Sequence, residues 1–443
     1  MISFKRLTFI FCFAQSLQFS SFAQQRADSL SGNVTLEQCI DFALKNRPAV
    51  QQSLIDEEIG ERNIRLALSG WLPQVRGEAN LSHYLKQPVS ILNGAQVRFQ
   101  PANSSNFLLQ GDQAIFNNDL LFASKASGFN RERYKQNTES NKINTVVQVS
   151  KAYYDILTSL QQVTILNEVI ARVGKQYKDS FAQYDAGLVD KTDYKRATIA
   201  LSNSKADLKR VTESLKFKYA LLKQLMGLPV EKELNLQFNN MSMEQAILLD
   251  TAQQVNYENR IEYRQLQTEK QLQNLTVNYY KYGFLPSVSA FVNYNLVYQN
   301  NRFNDIYSQS FPNSQTGLKL AIPIFQGTRR LQNLRRELLE DKRLDLDILD
   351  TKNAINTQYQ QALASYKSNL NDWRTIRENV VLSEEVYNTI KLQYNEGIKT
   401  YLEVMIAESD LRTTQINYLN SLFSVLSSKL DVQRSLGTIT VNK

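Results

Sequence analysis

The chain carries the stretch GWLPQVRGEANLSHYL at residues 70–85 and the related stretch GFLPSVSAFVNYNLVY at residues 283–298. In each copy a Gly-aromatic-Leu-Pro motif ends a helical pattern, and apolar and mostly polar residues then alternate. A period of two predicts a β-strand with one apolar face and one mostly polar face. A polar loop and a second short alternating run follow each stretch. The sequence therefore predicts two hairpins, with strands at about 74–86 and 107–116 and at about 287–299 and 315–324.

The two halves of the chain can be aligned with one another at an offset of about 210 residues. Besides the strand motifs, three pairs of landmarks recur in the same order: Ala114-Ile115-Phe116 with Pro323-Ile324-Phe325, Gln183–Gly187 with Gln393–Gly397, and Leu225-Met226-Gly227 with Ser435-Leu436-Gly437. Four landmarks at one offset indicate a tandem duplication. We predict a signal peptide at 1–23, a first repeat at 24–240 and a second repeat at 241–443.

The remainder of each repeat has a helical pattern, and the chain has only 15 glycines and 8 prolines in 443 residues. Apolar residues spaced by threes and fours predict rods of about 100 Å at 118–186 and 328–396. Shorter helices are predicted at 37–69, 188–226, 244–282 and 398–436. Two short helices together match the length of one long helix. We therefore expect each pair to stack end to end along its rod and to bury an apolar coiled-coil seam.

The first residues have the features of a secretory signal: the basic pair Lys5-Arg6, a short apolar run and small residues before a cleavage point after Ala23. Cys12 would leave with the signal, so only Cys39 remains and no intrachain disulfide is expected. The formal net charge of +8 is modest for this length. For an exported protein of modest charge, we expect no nucleic-acid partner.

Four strands per chain cannot close a barrel, and an open sheet leaves two edge strands unpaired. Three copies supply twelve strands, and a closed twelve-stranded barrel satisfies every backbone group in a membrane. Strands of about ten residues have the length needed to cross the hydrocarbon layer. We therefore predict a mainly α fold with a membrane β-barrel, formed as a homotrimer in outer membrane lipid. The helices, too polar for lipid, would continue from the barrel as a tube.

The doubled unit, the Gly-aromatic-Leu-Pro motifs, the Ile-Phe pairs after the hairpins and the glycine-containing helical turns resemble the TolC family of outer-membrane efflux proteins. The resemblance implies a trimeric twelve-stranded barrel in the cell outer membrane and a periplasmic α-barrel of antiparallel coiled coils. It also implies two partners, a periplasmic adaptor (membrane fusion protein) and an inner-membrane pump of the RND or ABC type. The implied function is efflux of small molecules from periplasm to exterior. An exit duct for type I protein secretion is the alternative.

The same resemblance implies a gate at the turns that end the long helices, where contacts between turns hold the periplasmic end closed. Carried over to this chain, Thr192 and Asp193 would meet Tyr394 and Lys399. Lys399 replaces the arginine that is usual in the family, so bidentate geometry is lost. Glu403 would line the constriction as one acidic ring. The residues implied at this aperture and at the adaptor-docking tip are Gly187, Thr192, Asp193, Tyr394, Gly397, Lys399 and Glu403.

No catalytic constellation can be assembled from the sequence. His83 is the single histidine, and no phosphate-binding glycine loop or nucleophile elbow is present. We expect no enzyme activity, no cofactor and no metal site. A purely structural role is the alternative for each turn residue: the glycines would only cap helices, and Asp193 and Glu403 would be ordinary exposed carboxylates. A rival class is a coiled-coil structural or adhesive surface protein, which would not require paired amphipathic hairpins.

Overall fold

A computed structural model describes residues 32–441, so the predicted signal peptide at 1–23 lies outside the described residues. The helices are α1 Leu36–Asn46, α2 Pro48–Leu68, α3 Asn118–Asp185, α4 Lys191–Met226, α5 Asn240–Gln245, α6 Ile261–Lys281, α7 Arg329–Asn395 and α8 Tyr401–Leu436. The strands are β1 Gln74–His83, β2 Ser90–Leu92, β3 Ala95–Val97, β4 Asn103–Phe116, β5 Ser287–Asn300 and β6 Ser310–Ala321. Between residues 32 and 441, none of the helices combines the length and the apolar character needed to cross a membrane.

The rods are α3 and α7, with 68 and 67 residues, and each packs along two shorter helices. Helices α4 and α2 lie along α3, while α8 and α6 lie along α7. Gly227 ends α4 with a φ of 73°, and a Cβ at this position would come 2.3 Å from the carbonyl oxygen of Asn46, just before α2. Gly437 ends α8 in the same way against Asn259. These two junctions confirm the predicted end-to-end stacking.

The predicted helix at 37–69 is divided in two at Arg47. Proline disfavours the α conformation for the residue before it, and Arg47 accordingly has an extended ψ of 125° before Pro48 begins α2. Helix α1 ends there by capping against Arg47, and its residues Cys39 and Phe42 are buried in the main core. The chain thus continues from α1 into α2 through one extended residue.

The predicted helix at 244–282 is wrong over residues 246–260, where the chain forms a largely irregular strap along α7 that includes a 3-10 turn at Tyr257–Asn259. Tyrosine hydroxyls of α7 hold this strap: Tyr366 donates to the Ile247 carbonyl at 3.0 Å, and Tyr359 donates to the Gln253 carbonyl at 2.6 Å. Apolar residues of the strap, such as Ile247, are buried in the core. The apolar residues of this segment are therefore buried as their spacing predicted, but they pack from an irregular segment and not from a helix.

The main sheet has four antiparallel strands in the order β1-β4-β5-β6, so β1 and β6 are its free edges. Strand bounds differ from the predicted ones: β1 ends at His83, β4 begins at Asn103, and β6 spans 310–321. The register pairs Asn103 with Asn300, and backbone pairing does not require apolar side chains. Strands β4 and β6 therefore begin among polar residues before the predicted starts, whereas β1 and β6 end before the predicted ends.

The two faces of the sheet differ in polarity, as predicted. One cross-strand row joins Arg76, Gln110, Asn293 and Gln315, and the adjacent row joins Val75, Gly111, Val292 and Thr316. Apolar side chains of the second face, including Val75, Val292 and Leu318, are exposed to solvent in the single chain. An apolar face of this size requires a partner phase or a partner molecule.

Candidate gate at the ends of the long helices

The first turn joins α3 to α4 through Gly187, whose φ of 73° lies in the left-handed region. The amide of Leu188 donates to the Gln183 carbonyl at 2.9 Å, which closes the end of α3. Asp190 then caps α4, because its carboxylate accepts hydrogen bonds from the amide and the hydroxyl of Thr192 at 3.0 and 3.1 Å. These bonds lower the pKa of Asp190. Thr192 is thus committed to its own turn.

The second turn has the same backbone plan but a different cap. Gly397 has a φ of 76°, and Thr400 caps α8 in a reciprocal capping box with Glu403. The Thr400 amide donates to Glu403 Oε2 at 2.8 Å, and Lys399 Nζ donates to Glu403 Oε1 at 2.6 Å. Both carboxylate oxygens of Glu403 are therefore occupied by groups of its own turn.

These bonds fix the charge state of the second turn. The Lys399 ammonium, followed by the bonds from Thr400, lowers the pKa of Glu403 to about 2 from an ordinary 4.5. Glu403 is consequently ionised at neutral pH, but its charge is compensated by Lys399. In the single chain, Lys399 and Glu403 therefore face the solvent as an ion pair.

Tyr394 is the predicted gate residue that contacts the first turn. It is half-buried near the end of α7, and burial raises its pKa, with the neighbouring carboxylates of Asp193 and Asp179 adding to the rise. The Asp193 carboxylate thus influences Tyr394 through its charge, while the contact that the structure gives for the Tyr394 ring is with Tyr401. Lys399 forms its ion pair with Glu403, so within residues 32–441 its charged partner belongs to its own turn.

Tyr401 was missed by the sequence reasoning. It is the first residue of α8, it is buried, and its ring centroid lies 6.1 Å from that of Tyr394. Burial raises the pKa of Tyr401 to about 12, and Tyr394 adds to the rise. The only available signal was its place immediately after the Thr400 cap, a position that gives no indication of burial.

The Arg172–Glu408 pair, farther from the turns, was also missed. The Arg172 guanidinium on α3 donates two hydrogen bonds of 3.1 Å, from Nε and Nη2, to the two carboxylate oxygens of Glu408 on α8. Glu408 is only 4% exposed. The guanidinium also lies 5.8 Å from the ring centroid of Tyr387 on α7, and burial followed by the Glu408 carboxylate raises the pKa of Tyr387 to about 12. One cluster thus joins both repeats.

The profile of the family described as "Outer membrane efflux protein" matches the chain twice, over residues 39–228 and 257–438. This doubled match confirms the tandem duplication. The chain is 22% identical to the outer membrane efflux protein BepC of Brucella suis, over 94% of this chain and 88% of that protein. It is 20% identical to the outer membrane protein TolC of Escherichia coli, over 93% of this chain and 84% of that protein.

The fold was also compared with solved structures. The Campylobacter jejuni CmeC outer membrane channel superposes with a TM-score of 0.73 at 16% identity, covering 91% of this chain and 85% of that chain. At this identity the likeness shows the fold alone, whereas the family profile covers most of both halves of the sequence. The chain therefore belongs to the outer membrane efflux protein family, whose members are outer-membrane channels with a long periplasmic tunnel and not enzymes.

Proposed function

We propose that three copies of this chain form one channel that carries small molecules from the periplasm to the exterior. The four-stranded sheets of the three copies would join into a twelve-stranded barrel in the outer membrane. The rods and their partner helices would continue as a periplasmic tube of about 100 Å. We retain the division of the chain into repeats at 24–240 and 241–443 as part of this proposal.

The observation that carries the proposal is the sheet with two unpaired edges and one exposed apolar face. Strands β1 and β6 run antiparallel to each other, so β1 of one copy can pair with β6 of the next copy in the same sense as the existing pairs. Closure removes both edges, lipid covers the face that carries Val75 and Val292, and the face that carries Arg76 and Asn293 lines a wet lumen.

We further propose that the two glycine turns form the gate at the periplasmic end. Tyr394 and Asp193 would hold the two turns of one chain together, while Gly187 and Gly397 make the sharp reversals. Thr192 supports the Asp190 cap of the first turn. Lys399 and Glu403 would act as one ion pair that faces the narrowest point of the trimer.

The proposed partners are a periplasmic adaptor that binds the tip of the tube and an inner-membrane pump of the RND or ABC type. The efflux role described for the family and for BepC supports a role of this chain in efflux, and these partners follow from that role. Deletion of the gene tests the proposed efflux of small molecules, because it should make cells more sensitive to small toxic compounds. Loss of one secreted protein without any sensitisation would favour the type I secretion alternative.

Single-channel conductance tests the gate. In planar bilayers, Tyr394→Phe combined with Lys399→Ser should enlarge the conductance without loss of the trimer. The Tyr394 hydroxyl would no longer be available to the first turn, and the Lys399–Glu403 ion pair at the proposed constriction would be lost. The matched control is Tyr184→Phe combined with Lys195→Ser, a tyrosine and a lysine beside the first turn, and it should keep the wild-type conductance. Equal conductance in all three proteins would remove Tyr394 and Lys399 from the gate.

A further inference from the structure

The segment between β1 and β4 contains a small hairpin that has little packing of its own. Strands β2 and β3 pair over three residues each around Asn93 and Gly94, whose φ values of 52° and 84° are typical of a two-residue type I′ turn. An isolated two-stranded hairpin of this length is not stable in water. Its stability therefore depends on contacts beyond its own two strands.

Several apolar side chains of this hairpin and of the segment before it are open to solvent in the single chain. Ile91 is 77% exposed, and Leu92, Val89 and Leu85 are exposed as well. The base of the hairpin is fixed to its own chain, because Gln87 Nε2 donates to the Asn301 side chain and to the Gln100 carbonyl, both at 3.1 Å. The unsatisfied apolar surface is thus held in one place at the loop end of the sheet.

A second exposed surface lies at the same end of the sheet, next to the opposite edge. The loop 301–309 leads into β6, and it exposes Phe303 (57%) and Tyr307 (62%), with Phe311 exposed at the start of β6. The loop is ordered locally, since Ile306 is buried and the Tyr307 ring lies 5.2 Å from that of Tyr298. Tyr307 is held on its own chain by the Tyr298 ring and by a 3.3 Å hydrogen bond from its hydroxyl to Ser105 Oγ, while Phe303 and Phe311 expose much of their rings.

Topology brings the two surfaces together between copies. The hairpin segment joins β1 to β4, and the aromatic loop joins β5 to β6, so both lie at the same end of the sheet. They meet within one chain beside the β4–β5 pair, where Gln87 bonds to Asn301, and each is also joined to one of the two edge strands. When β1 of one copy pairs with β6 of the next, the hairpin of the first copy must lie beside the aromatic loop of the second. Such a contact is heterologous and closes after three copies.

We propose that the β2–β3 hairpin of each copy docks onto the aromatic loop, Phe303 to Phe311, of the neighbouring copy and forms a clasp at the outer rim of the barrel. This inference rests on the proposed trimeric channel. The occupant of the hairpin is a second copy of this chain, because the edge strands that flank both surfaces are the ones that must pair. The clasp buries apolar area that would otherwise remain in water, and it fixes the register of β1 on β6.

Disulfide cross-linking tests the clasp in full-length protein in which Cys12 and Cys39 have been changed to alanine. Ile91→Cys is combined in turn with Phe303→Cys and with Phe311→Cys. Oxidation should convert at least one of these double variants into a covalent trimer on denaturing gels. The single variants and the pairing of Ile91→Cys with Phe217→Cys, an exposed aromatic position on α4, should stay monomeric.

The other outcomes separate the clasp from the channel. A native trimer in which residues 91 and 303 react freely with an impermeant thiol reagent and never cross-link would overturn the clasp alone. Cross-linking of Ile91→Cys to itself would also overturn it, since the hairpins would then meet on the axis. A protein that forms no trimer at all would overturn the proposed function together with the clasp.

A second measurement does not depend on cysteine chemistry. The Ile91→Asn and Leu92→Asn double variant should lower the temperature at which the trimer dissociates in detergent, because the apolar contact is lost. Ser90→Asn, a polar change in the same hairpin, is the matched control and should leave that temperature unchanged. Equal dissociation temperatures in wild type and both variants would contradict an intersubunit contact at the hairpin.

Discussion

The two helical turns, α3–α4 and α7–α8, and the two junctions where short helices meet end to end all use a left-handed glycine. The space around that glycine differs between the turns and the junctions. Gly187 and Gly397 at the tip and Gly227 and Gly437 at the junctions all have φ values between 70° and 76°. A Cβ at either tip glycine would meet open space, whereas one at Gly227 would come within 2.3 Å of a backbone oxygen. The local geometry is equal, and only the surroundings differ.

This comparison shows where the molecule is fixed and where it is free. The junction glycines lie against the backbone just before α2 and α6, Gly227 at Asn46 and Arg47 and Gly437 at Asn259, so each junction joins two chain segments at close range. The turns are tied mainly by hydrogen bonds within themselves, and the half-buried Tyr394 lies against Tyr401. A gate requires a part that can rearrange, and the tip has the weaker long-range restraint.

The largest effect is expected from alanine substitutions at the glycines. Gly187→Ala introduces only the left-handed strain of a residue with a Cβ, about 1 kcal/mol. Gly227→Ala adds a collision with the Asn46 carbonyl, so its cost should reach about 3 kcal/mol. Thermal unfolding followed by circular dichroism measures both. Equal losses of stability would show that the α4–α2 junction can relax, and would contradict the conclusion that the junction glycines are more tightly packed than the turn glycines.

A second, smaller effect separates two carboxylates on α8. Glu408→Ala removes the bidentate partner of the Arg172 guanidinium and leaves it only the longer 3.8 Å pair with Glu168, which should cost about 2–3 kcal/mol. Glu403→Ala removes an exposed carboxylate that interacts only with its own turn, so the loss should be clearly smaller. Urea unfolding of the two variants gives the difference. Glu408→Gln, which keeps one hydrogen-bond acceptor, should recover part of the stability.

The smallest effect concerns ion selectivity at the tip. Because Glu403 is paired with Lys399, Glu403→Ala should leave three uncompensated lysines in the trimer, and the reversal potential should then indicate greater anion selectivity. Lys399→Ala should have the opposite effect and increase cation selectivity. Asp190→Ala, a carboxylate of the other turn, serves as the control. Identical reversal potentials across a salt gradient in all variants would make Glu403 an ordinary helix carboxylate, remote from the constriction.

The pH dependence of the same measurement follows from the lowered pKa of Glu403. Its folded pKa of about 2 lies below the ordinary 4.5, so its interactions with Lys399 and Thr400 are fully present above pH 4.5 and are lost as the pH falls toward 2. The wild-type reversal potential should therefore stay constant between pH 7 and pH 5. A transition centred near 4.5 would indicate that the ion pair does not persist in the channel.

Much of the fold could be predicted because its signals are local and doubled. Alternation after Gly70 and Gly283 predicted the strands, and the long stretches without proline predicted the rods. The positions of the turn glycines were predicted as well, since a left-handed cap requires glycine wherever it occurs. The strap at 246–260 was not predicted, because its apolar residues have helical spacing although their partners are rod side chains.

The candidate site divides in the same way. Sequence placed Thr192, Asp193, Tyr394, Lys399 and Glu403 in two turns, and the structure shows which of them are neighbours. The pairing of Lys399 with Glu403 is an i, i+4 contact and could have been inferred from spacing. The Arg172–Glu408 pair joins residues 236 positions apart, and no local pattern marks either of them.

The sequence by itself determined the repeat, the period of each element and the glycine positions at which the chain must reverse, because these depend on neighbours within a few residues. Only the tertiary structure decided which charges are buried together, which glycines have room for a side chain, and which apolar surfaces remain uncovered at the edges of the sheet. Those properties depend on atoms brought close from distant parts of the chain, and a single sequence holds no direct record of such distances.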